Sequence, residues 1–559
     1  MSKLRPGAIC PLPAPARAGW LHVAGALAFA GCGPGGGGGG DFTVSITPVV
    51  PTNQSPFDGV DTITLSVVGS DGQEEQFDLG SPESGATLSG KGIGELADTT
   101  LLFEGTSAGV VISRGMTAPI TPVDGAAEST VLFGSIDQVG WIGTLLSPIV
   151  GPSIIPIGDG VFDVIGGVGY GSGTWARDYT FVQRISLSSP NEDFSVTEGA
   201  EVPTWVDAME KTQQGWYGSA IAPITVGTDV GKVFIGGGGP SPGLLDPTGV
   251  TYLVWLYDPV EQTFEALGDL AGLSSARSEA AMVVDQQGVV ILWGGWTQSN
   301  SSRAVAISTS VEAWDPNTQR SELVDNRLDY AVDPMYDAAG ASLEDGVMFC
   351  GGGLQGTVVV DGDHLATWST SAACHRISLG GHKLSTDADL PLAVAGLAMI
   401  TLESGEVLAT GGAKQADEIV IDFATTARAS SKAFLYHPPP ADSGDDGTWD
   451  EIGTMTVARA GHKMSLLPDG RVLIAGGSAD YAPSLIVGAG LSCVEVYDPA
   501  DNSFTALADC DAGSDTNGLA GRAAVPGMAV DPDYGVLIAG GSVDFETGQD
   551  AINVVLTGR

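Results

Sequence analysis

Val472-Leu-Ile-Ala-Gly-Gly477 is an apolar run of four residues that ends in a pair of glycines. Val536-Leu-Ile-Ala-Gly-Gly541 repeats it letter for letter. The remaining copies, at intervals of about 57 to 70 residues, are Val161-Phe-Asp-Val-Ile-Gly-Gly167, Lys232-Val-Phe-Ile-Gly-Gly237, Val290-Ile-Leu-Trp-Gly-Gly295, Val347-Met-Phe-Cys-Gly-Gly352 and Val407-Leu-Ala-Thr-Gly-Gly412. Seven copies at such a period indicate a protein built from repeated supersecondary units.

A second pattern follows the glycine pair in several copies. Tyr257-Asp-Pro259 precedes Phe264, and Tyr497-Asp-Pro499 precedes Phe504. Trp314-Asp-Pro316 stands at the corresponding place in another copy. Asp-Pro favours a turn, because proline cannot donate a hydrogen bond to a sheet. The spacing predicts a hairpin whose two aromatic side chains meet across neighbouring strands.

Each complete copy has a turn glycine, an apolar strand, the glycine pair and then two aromatic residues. Over residues 134–559 this order resembles the kelch repeat. This resemblance implies a β-propeller with four-stranded blades, the second strand of each ending in the glycine pair. Seven copies predict seven blades, and six if the first copy is irregular. The last copy lacks an outer strand. Residues 138–143, just before the first copy, could supply that strand and leave the ring without a free edge.

Residues 41–133 show a different organisation. Short alternating runs such as Thr62-Ile-Thr-Leu-Ser-Val67 are separated by turn pairs such as Asp71-Gly72. About seven such strands predict a small immunoglobulin-like sandwich, here without a cysteine pair. The predicted fold class is therefore all-β, a sandwich followed by a kelch-like propeller. We expect the sandwich to hold the propeller away from a membrane.

The first 32 residues predict export. Basic residues precede an apolar run of signal-peptide length, which is too short for a permanent membrane span. The run ends in Phe29-Ala-Gly-Cys32, which resembles a bacterial lipobox and implies a lipid on Cys32. An ordinary secretory signal is the alternative. Residues 33–40 read as a glycine-rich tether, and Gly33 in place of aspartate favours the outer membrane by the same resemblance. The predicted location is the cell envelope, as an outer-membrane or cell-surface lipoprotein.

The charge excludes some partners. Asp and Glu number 67 against 23 Lys and Arg, which leaves a net charge of −44. Such a chain repels nucleic acids and anionic lipid surfaces. We therefore expect no nucleic-acid partner, membrane contact through the N-terminal lipid alone, and a monomer.

Four cysteines follow the export segment. Cys350 and Cys374 form one local pair in the sequence, and Cys493 and Cys510 form another. In an oxidising compartment these pairs predict two disulfides, with redox or metal chemistry as the alternative. We predict no metal site and no cofactor.

One propeller face is the predicted recognition surface. The first strand of a blade begins where the second strand ends, so both contribute to the same face. The candidate binding residues are Arg277, Arg459 and Arg522 at the first-strand starts, with Trp175, Trp296 and Tyr481 in the loops after the glycine pairs. In the alternative interpretation, the arginines pair with nearby carboxylates and have a structural role.

These features predict a binding or scaffolding protein for a protein or glycan ligand, without enzymatic activity. A carbohydrate-active enzyme is one alternative. A copper oxidase of the galactose-oxidase type is another, since that enzyme also uses a kelch propeller. The resemblance would require two histidine ligands and a Tyr–Cys crosslink, for which no pair can be nominated here. A structural component of the envelope is the third alternative.

Overall fold

The computed structural model describes residues 43–69, 74–81, 99–120, 126–171, 174–176, 180–187, 194–206, 210–239, 249–268, 271–298, 305–324, 335–360, 363–414, 427–440, 443, 445–481, 490–507, 510, 518–520, 525–544 and 547–558. Every regular element in these residues is a β-strand. No described helix is long and apolar enough to cross a membrane. The described residues up to Ile136, with Gly140–Gly143, form one compact unit, and the other described residues form a second.

The first unit contains a five-stranded antiparallel sheet, in the order β3-β2-β4-β5-β7, and a parallel pair, β1 and β6. Its strands are β1 (Thr43–Val49), β2 (Thr62–Val68), β3 (Glu74–Gly80), β4 (Thr100–Ser107), β5 (Val110–Met116), β6 (Ala126–Leu132) and β7 (Gly134–Ser135). Leu65 and Phe103 are opposite each other on β2 and β4 and share a core with Val131 of β6. Apolar residues from both sheets therefore meet, as in a two-layer β structure.

The second unit contains, within its described residues, seven runs of four hydrogen-bonded strands. The first four runs are β9 (Ser153–Gly158), β10 (Val161–Ile165), β13 (Phe181–Ser186), β14 (Ser195–Glu201); β17 (Ala220–Pro223), β18 (Val233–Gly236), β19 (Val254–Asp258), β20 (Thr263–Ala266); β21 (Ala281–Val284), β22 (Val290–Trp293), β25 (Val311–Asp315), β26 (Arg320–Leu323); and β27 (Ala339–Leu343), β28 (Gly346–Cys350), β31 (Cys374–Ser378), β32 (Leu384–Asp387). The last three are β33 (Ala395–Thr401), β34 (Val407–Lys414), β36 (Lys432–His437), β37 (Thr448–Thr454); β38 (Lys463–Leu466), β39 (Val472–Ala475), β41 (Val494–Asp498), β42 (Ser503–Ala506); and β43 (Gly527–Asp531), β44 (Gly535–Ala539), β46 (Thr547–Val555), β8 (Val139–Val150).

The seventh run takes its outer strand from the other end of the chain. Strand β46 lies between β44 and β8 in one sheet. The sequence nominated residues 138–143 for this place, but Gly140–Gly143 belong to the first unit, and the longer part of β8 in the second unit is Thr144–Val150. A backbone hydrogen bond of 2.8 Å from Asp137 N–H to Leu556 O adds to this junction.

The glycine pairs have a steric role. In Gly294-Gly295 both residues have a left-handed backbone, with φ of 68° and 88°. A Cβ atom on Gly294 would lie 2.0 Å from the carbonyl oxygen of Met335, in the next run. Only glycine fits such a position, because a side chain would overlap the neighbouring backbone.

In the second copy the pair lies one residue later than predicted. Gly237 and Gly238 have φ values of 69° and 89°, whereas Gly236 belongs to strand β18 and is paired with Ala220. The prediction of Gly236-Gly237 was wrong because four glycines follow Ile235 and sequence alone does not distinguish among them. The register of the sheet determines which two of these four glycines form the pair.

The second glycine of the pair joins one run to the next. Its N–H donates to a backbone carbonyl just before the following first strand. The described bonds are Gly167 to Trp216 (3.2 Å), Gly238 to Arg277 (2.7 Å), Gly295 to Met335 (3.0 Å), Gly352 to Val394 (2.8 Å), Gly412 to Arg459 (3.0 Å) and Gly541 to Ile149 (2.8 Å). The last bond ends on β8, the outer strand of the seventh run, just before β9 of the first run begins. Each pair is therefore a connection between runs as well as a strand end.

The aromatic residues of the second pattern are cross-strand partners. Tyr257 is opposite Phe264, and Tyr497 is opposite Phe504. Their ring centroids are 4.6 and 5.0 Å apart. The Tyr257 hydroxyl also donates to Asp163 of the preceding run at 2.7 Å. The hairpin thus places an aromatic pair where it contributes to packing between runs.

Additional strands form hairpins after several glycine pairs. They are β11 (Val168–Gly171) with β12 (Thr174–Ala176), β23 (Trp296–Gln298) with β24 (Val305–Ile307), β29 (Gly353–Val360) with β30 (Asp363–Thr370), and β45 (Ser542–Asp544) beside β46. After the glycine pair of the fifth run, β35 (Ala427–Ala429) instead pairs with β40 (Asp480–Tyr481), which follows the glycine pair of the sixth run. A further hairpin, β15 (Thr204–Val206) with β16 (Thr212–Gln214), precedes the second run. All lie at the end of the runs where first strands begin and second strands finish, which we call the hairpin face.

Candidate functional site

Seven equivalent residues lie at the hairpin-face end of the first strands, one in each run. All have a left-handed backbone, with φ between 47° and 67°. These entry positions are Gly151, Gly218, Glu279, Asp337, Gly396, Gly461 and Val525. Four are glycine, which adopts this conformation without steric cost. Glu279, Asp337 and Val525 adopt it against the preference of their side chains.

Backbone hydrogen bonds connect neighbouring entry positions. Glu279 N–H donates to Gly218 O at 2.6 Å, and Gly396 N–H donates to Asp337 O at 2.9 Å. Gly461 N–H in turn donates to Gly396 O at 2.8 Å. Backbone hydrogen bonds therefore hold Glu279 and Asp337 to the entry positions of adjacent runs.

All seven entry positions line one cavity of about 270 Å³, which we call the central cavity. Residues next to the entry positions complete its wall, among them Tyr217, His462 and Lys463. Each of the seven runs therefore contributes to the wall of this cavity, which lies on the hairpin face. Its volume lies near the lower end of the range for small-molecule sites, so it suits a small ligand.

Charged side chains in this cavity come from different runs. Glu279 and Asp337 are half-buried, and Lys463 is open to the cavity while protein surrounds it on its other sides. Burial raises the pKa of Tyr217 well above its ordinary value, and the charges of Glu279 and Asp337 raise it further. Burial lowers the pKa of Lys463, and Asp337 opposes that shift. Asp337 is thus close enough to interact electrostatically with both Tyr217 and Lys463.

Two aromatic residues of the same wall, His462 and Trp216, have ring nitrogens with essentially no accessible surface. His462 lies 2.8 Å from the Thr410 hydroxyl through Nε2, and its Nδ1 has no hydrogen-bond partner among the described residues. Burial lowers the pKa of His462 well below its ordinary value, with smaller effects from Arg459 and Lys463, so the ring is neutral at physiological pH. The indole Nε1 of Trp216 is likewise buried without a described partner.

Arg277 and Arg459 are not on the surface. Their relative exposures are 1% and 0%, and each guanidinium pairs with a buried carboxylate of its own run, Glu312 and Glu495 respectively. Arg459 Nη1 also donates to Gly476 O at 3.0 Å and to Cys493 O at 3.1 Å. The prediction that these two arginines contact a partner was wrong. They hold the glycine pair of their own run in place.

The sequence did not single out the two carboxylates, although they occupy the same position in their copies of the repeat. Glu312 and Glu495 each lie two residues before the aromatic of an aromatic-Asp-Pro motif, on a strand that reads as apolar. Both also accept a backbone hydrogen bond of 2.6 Å, Glu312 from Ser274 and Glu495 from Thr456. An acidic residue at an inward strand position, together with an arginine upstream, is the signal that could have identified each buried pair.

The structure describes the remaining predicted site residues to different extents. Trp296 is fully buried and stacks on Tyr336 with ring centroids 4.7 Å apart, so it is not an exposed anchor as predicted. Trp175 and Tyr481 belong to hairpin strands on the hairpin face, and their side chains lie outside the description. Arg522 and Cys32 fall outside the described residues.

Two disulfides join Cys350 to Cys374 and Cys493 to Cys510. The first connects neighbouring strands β28 and β31 at opposing residues. Cys493, Glu495 and Cys510 form the one described group of three potential metal ligands with atoms within 4.8 Å. The disulfide occupies both sulfur atoms, which removes the thiolates that a metal would need.

No known protein family matches the chain, and no curated protein is similar to it. Among solved structures, it is similar to the one titled "Structure of YjhT". The two share 16% sequence identity and a TM-score of 0.43, over 65% of this chain and 98% of that one. A similarity at this level supports no inference about activity.

Proposed function

We propose that this protein is an exported, lipid-anchored binding protein in which seven kelch-type blades form a closed propeller. The observation that carries the binding role is the central cavity, on which one left-handed position from each run converges. Glu279, Asp337 and Lys463 give this cavity charged groups from three runs. Ligand-binding residues on other proteins commonly occupy loops that a rigid scaffold positions in this way.

Several features support the closed ring. Strand β8 completes the sheet of β46 and is followed in the chain by β9 of the first run, and the bond from Gly541 to Ile149 holds β8 beside the end of β44. A Cβ atom on Gly527 of β43 would lie 2.7 Å from Ile154 of β9, so these first strands are close neighbours. Closure leaves no unpaired sheet edge between first and last blades.

The proposed ligand is a protein or a glycan, now placed at the central cavity instead of at the arginines. The mature protein would be tested on a glycan array and in pull-downs from envelope and secreted material. The test variant is Glu279→Gln, Asp337→Asn and Lys463→Met. The matched control is Asp445→Asn, Asp446→Asn and Lys383→Met, which makes the same charge changes at exposed residues on the opposite face.

We expect a specific ligand that the cavity variant loses and the control keeps. A ligand that both variants keep would contradict the central cavity as the site. Metal content and sugar turnover are measured on the same preparation. Copper with alcohol oxidation, or glycan cleavage, would favour one of the enzymatic alternatives over binding alone.

The proposed anchor is tested separately. In a Gram-negative host, Cys32→Ser should move the protein from the membrane fraction to the soluble extracytoplasmic fraction, because the thiol that would take the lipid is absent. Metabolic labelling with a fatty acid measures this directly. Equal labelling of the variant and the native protein would overturn the lipoprotein assignment.

A further inference from the structure

Lys463 brings an amine without a described polar partner to the wall of the central cavity. The residue begins strand β38, and its side chain is open to the cavity. Its nitrogen makes no hydrogen bond or ion pair with another residue in the described part of the chain. Lys232 and Lys432 differ, because the nitrogen of each lies 2.7 Å from a carboxylate oxygen, of Asp229 and Glu451 respectively.

The surroundings of Lys463 favour the uncharged amine. Burial lowers its pKa, although the charge of Asp337 opposes this shift. At Lys232 the hydrogen bond to Asp229 has the opposite effect and raises the pKa. A lysine with a lowered pKa is unprotonated more often at neutral pH, and only the unprotonated nitrogen has a lone pair that can attack carbon. We therefore expect Lys463 to be more nucleophilic at neutral pH than the surface lysines.

Tyr217 adds a hydroxyl group to the same wall. Its oxygen has no hydrogen-bond partner among the described residues and, unlike the ring nitrogens of His462 and Trp216, retains accessible surface. Burial raises the pKa of this group well above its ordinary value, so the phenol stays protonated. A protonated phenol both donates and accepts hydrogen bonds, which suits a hydroxyl group on a ligand.

We propose that the central cavity binds small hydroxyaldehydes covalently, with Lys463 as the nucleophile and the Tyr217 hydroxyl hydrogen-bonded to a hydroxyl of the ligand. The Nζ lone pair forms a bond to the aldehyde carbon, and the carbon–oxygen double bond breaks. The carbonyl oxygen leaves as water with the two hydrogens of the amine, so an imine forms without an oxidant or reductant. The volume of about 270 Å³ suits an aldehyde of a few carbon atoms. This inference rests on the proposed function and names a class of ligand for its site.

Reductive trapping tests the reactivity of Lys463. The mature protein is treated with a limiting amount of glycolaldehyde and with cyanoborohydride, whose hydride converts an imine to a stable secondary amine. Peptide mass spectrometry then gives the rate at each lysine. At pH 7 we expect Lys463 to be labelled about tenfold or more faster than Lys383, because each unit by which a pKa falls raises the unprotonated fraction about tenfold. Lys383 is an exposed lysine outside the cavity, and an equal or higher rate there would overturn the proposal.

Asp337→Asn gives a result whose sign depends on the free amine. Because the charge of Asp337 raises the pKa of Lys463, removing that charge should speed the labelling of Lys463 at pH 7 several-fold. Labelling of Lys383 in the same sample should not change. Unchanged or slower labelling of Lys463 would show that its unprotonated fraction does not limit the reaction, contrary to the proposal.

Tyr217→Phe tests the hydroxyl contact. Labelling of Lys463 by glycolaldehyde should slow by about two- to tenfold, which is the effect of one hydrogen bond. Labelling by acetaldehyde, which has no hydroxyl group, should keep its rate, so the ratio of the two aldehydes is an internal control for the fold of the variant. Equal slowing with both aldehydes would contradict the hydrogen bond to the ligand. Thermal unfolding midpoints of all variants are measured alongside.

The outcomes separate this inference from the proposed function. If Lys463 is not labelled preferentially, the aldehyde class fails, while a pull-down ligand lost with the cavity variant would still support the cavity as a binding site. If Lys463 is labelled preferentially but the cavity variant keeps the captured ligand, the reactive amine stands and the proposed function of the cavity fails. When both hold, trapping glycolaldehyde on Lys463 before the pull-down should abolish capture of the ligand.

Discussion

At the residue scale, the burial of the ion pair between Arg459 and Glu495 predicts a large loss of folding stability when one partner is removed. Both side chains have no exposure, so removing the arginine leaves a buried carboxylate without its counter-charge. Arg459→Ala should lower the free energy of unfolding by about 3–5 kcal/mol. Urea denaturation measures the change.

A surface pair provides the comparison. Lys432 and Glu451 are each nearly half exposed at 45% and 48%. Lys432→Ala should cost about 0–1 kcal/mol, because water already solvates its partner. Similar losses for Arg459→Ala and Lys432→Ala would contradict the structural role assigned to Arg459.

His462 predicts a dependence of stability on pH. Its pKa in the folded protein lies well below the ordinary value of 6.5, so below pH 6.5 the unfolded chain takes up a proton that the folded chain does not. Stability from this group is complete above pH 6.5 and falls as the pH decreases toward the folded pKa. Relative to His462→Gln, the native protein should lose up to about 1.4 kcal/mol per pH unit in that window.

Denaturation of both proteins over a series of pH values measures this difference. The carboxylates titrate in the native protein and in the variant alike, so their contributions to the pH dependence of stability cancel in the difference. A constant difference between native protein and variant across the window would show that His462 is protonated equally in the folded and unfolded states.

At the element scale, the glycine pair makes a prediction with an internal control. Gly294 and Gly405 both have a left-handed backbone, but a Cβ atom on Gly405 would meet nothing within 4 Å. Gly405→Ala should cost about 1–2 kcal/mol from backbone conformation alone. Gly294→Ala should cost about 1–3 kcal/mol more, because its Cβ would overlap Met335.

Thermal and chemical unfolding of the two variants gives the comparison. Equal destabilisation would mean that the glycine is needed for its backbone conformation only. In that case the close approach of the next run would have no energetic consequence at this position.

The hairpins between third and fourth strands were predictable as elements. Tyr257 and Phe264 are opposite each other because they are seven residues apart and the turn between Asp258 and Thr263 begins at Pro259. Such local pairings depend on residues close in sequence. The buried carboxylate Glu312 was not predictable in this way, since its partner Arg277 is brought to it by three separate strands.

At the scale of the whole molecule, the last strand β46 closes the sheet between β44 and β8. Ending the chain after Gly541 removes that strand and exposes two sheet edges. We expect the truncated protein to aggregate or to lose a cooperative unfolding transition. Replacing residues 355–368 of the β29–β30 hairpin by a short turn is the control, because this hairpin lies outside the four-strand runs.

Size-exclusion chromatography and calorimetry distinguish the two deletions. The hairpin deletion should elute as a folded protein and unfold cooperatively. A truncated protein that behaves equally well would contradict the proposed closure through β46 and β8.

The sequence by itself determined the all-β class, the seven copies of the repeat, the cross-strand aromatic pairs and the local pairing of the cysteines. These depend on periodicity and on residues separated by short stretches of chain. Tertiary structure decided which glycines of 236–239 form the pair, that Arg277, Arg459 and Trp296 are buried, and that Glu279, Asp337 and Lys463 share a cavity. Those outcomes depend on sheet register and on contacts between strands that are far apart in the chain, where the spacing along the chain carries no information about which side chains face each other.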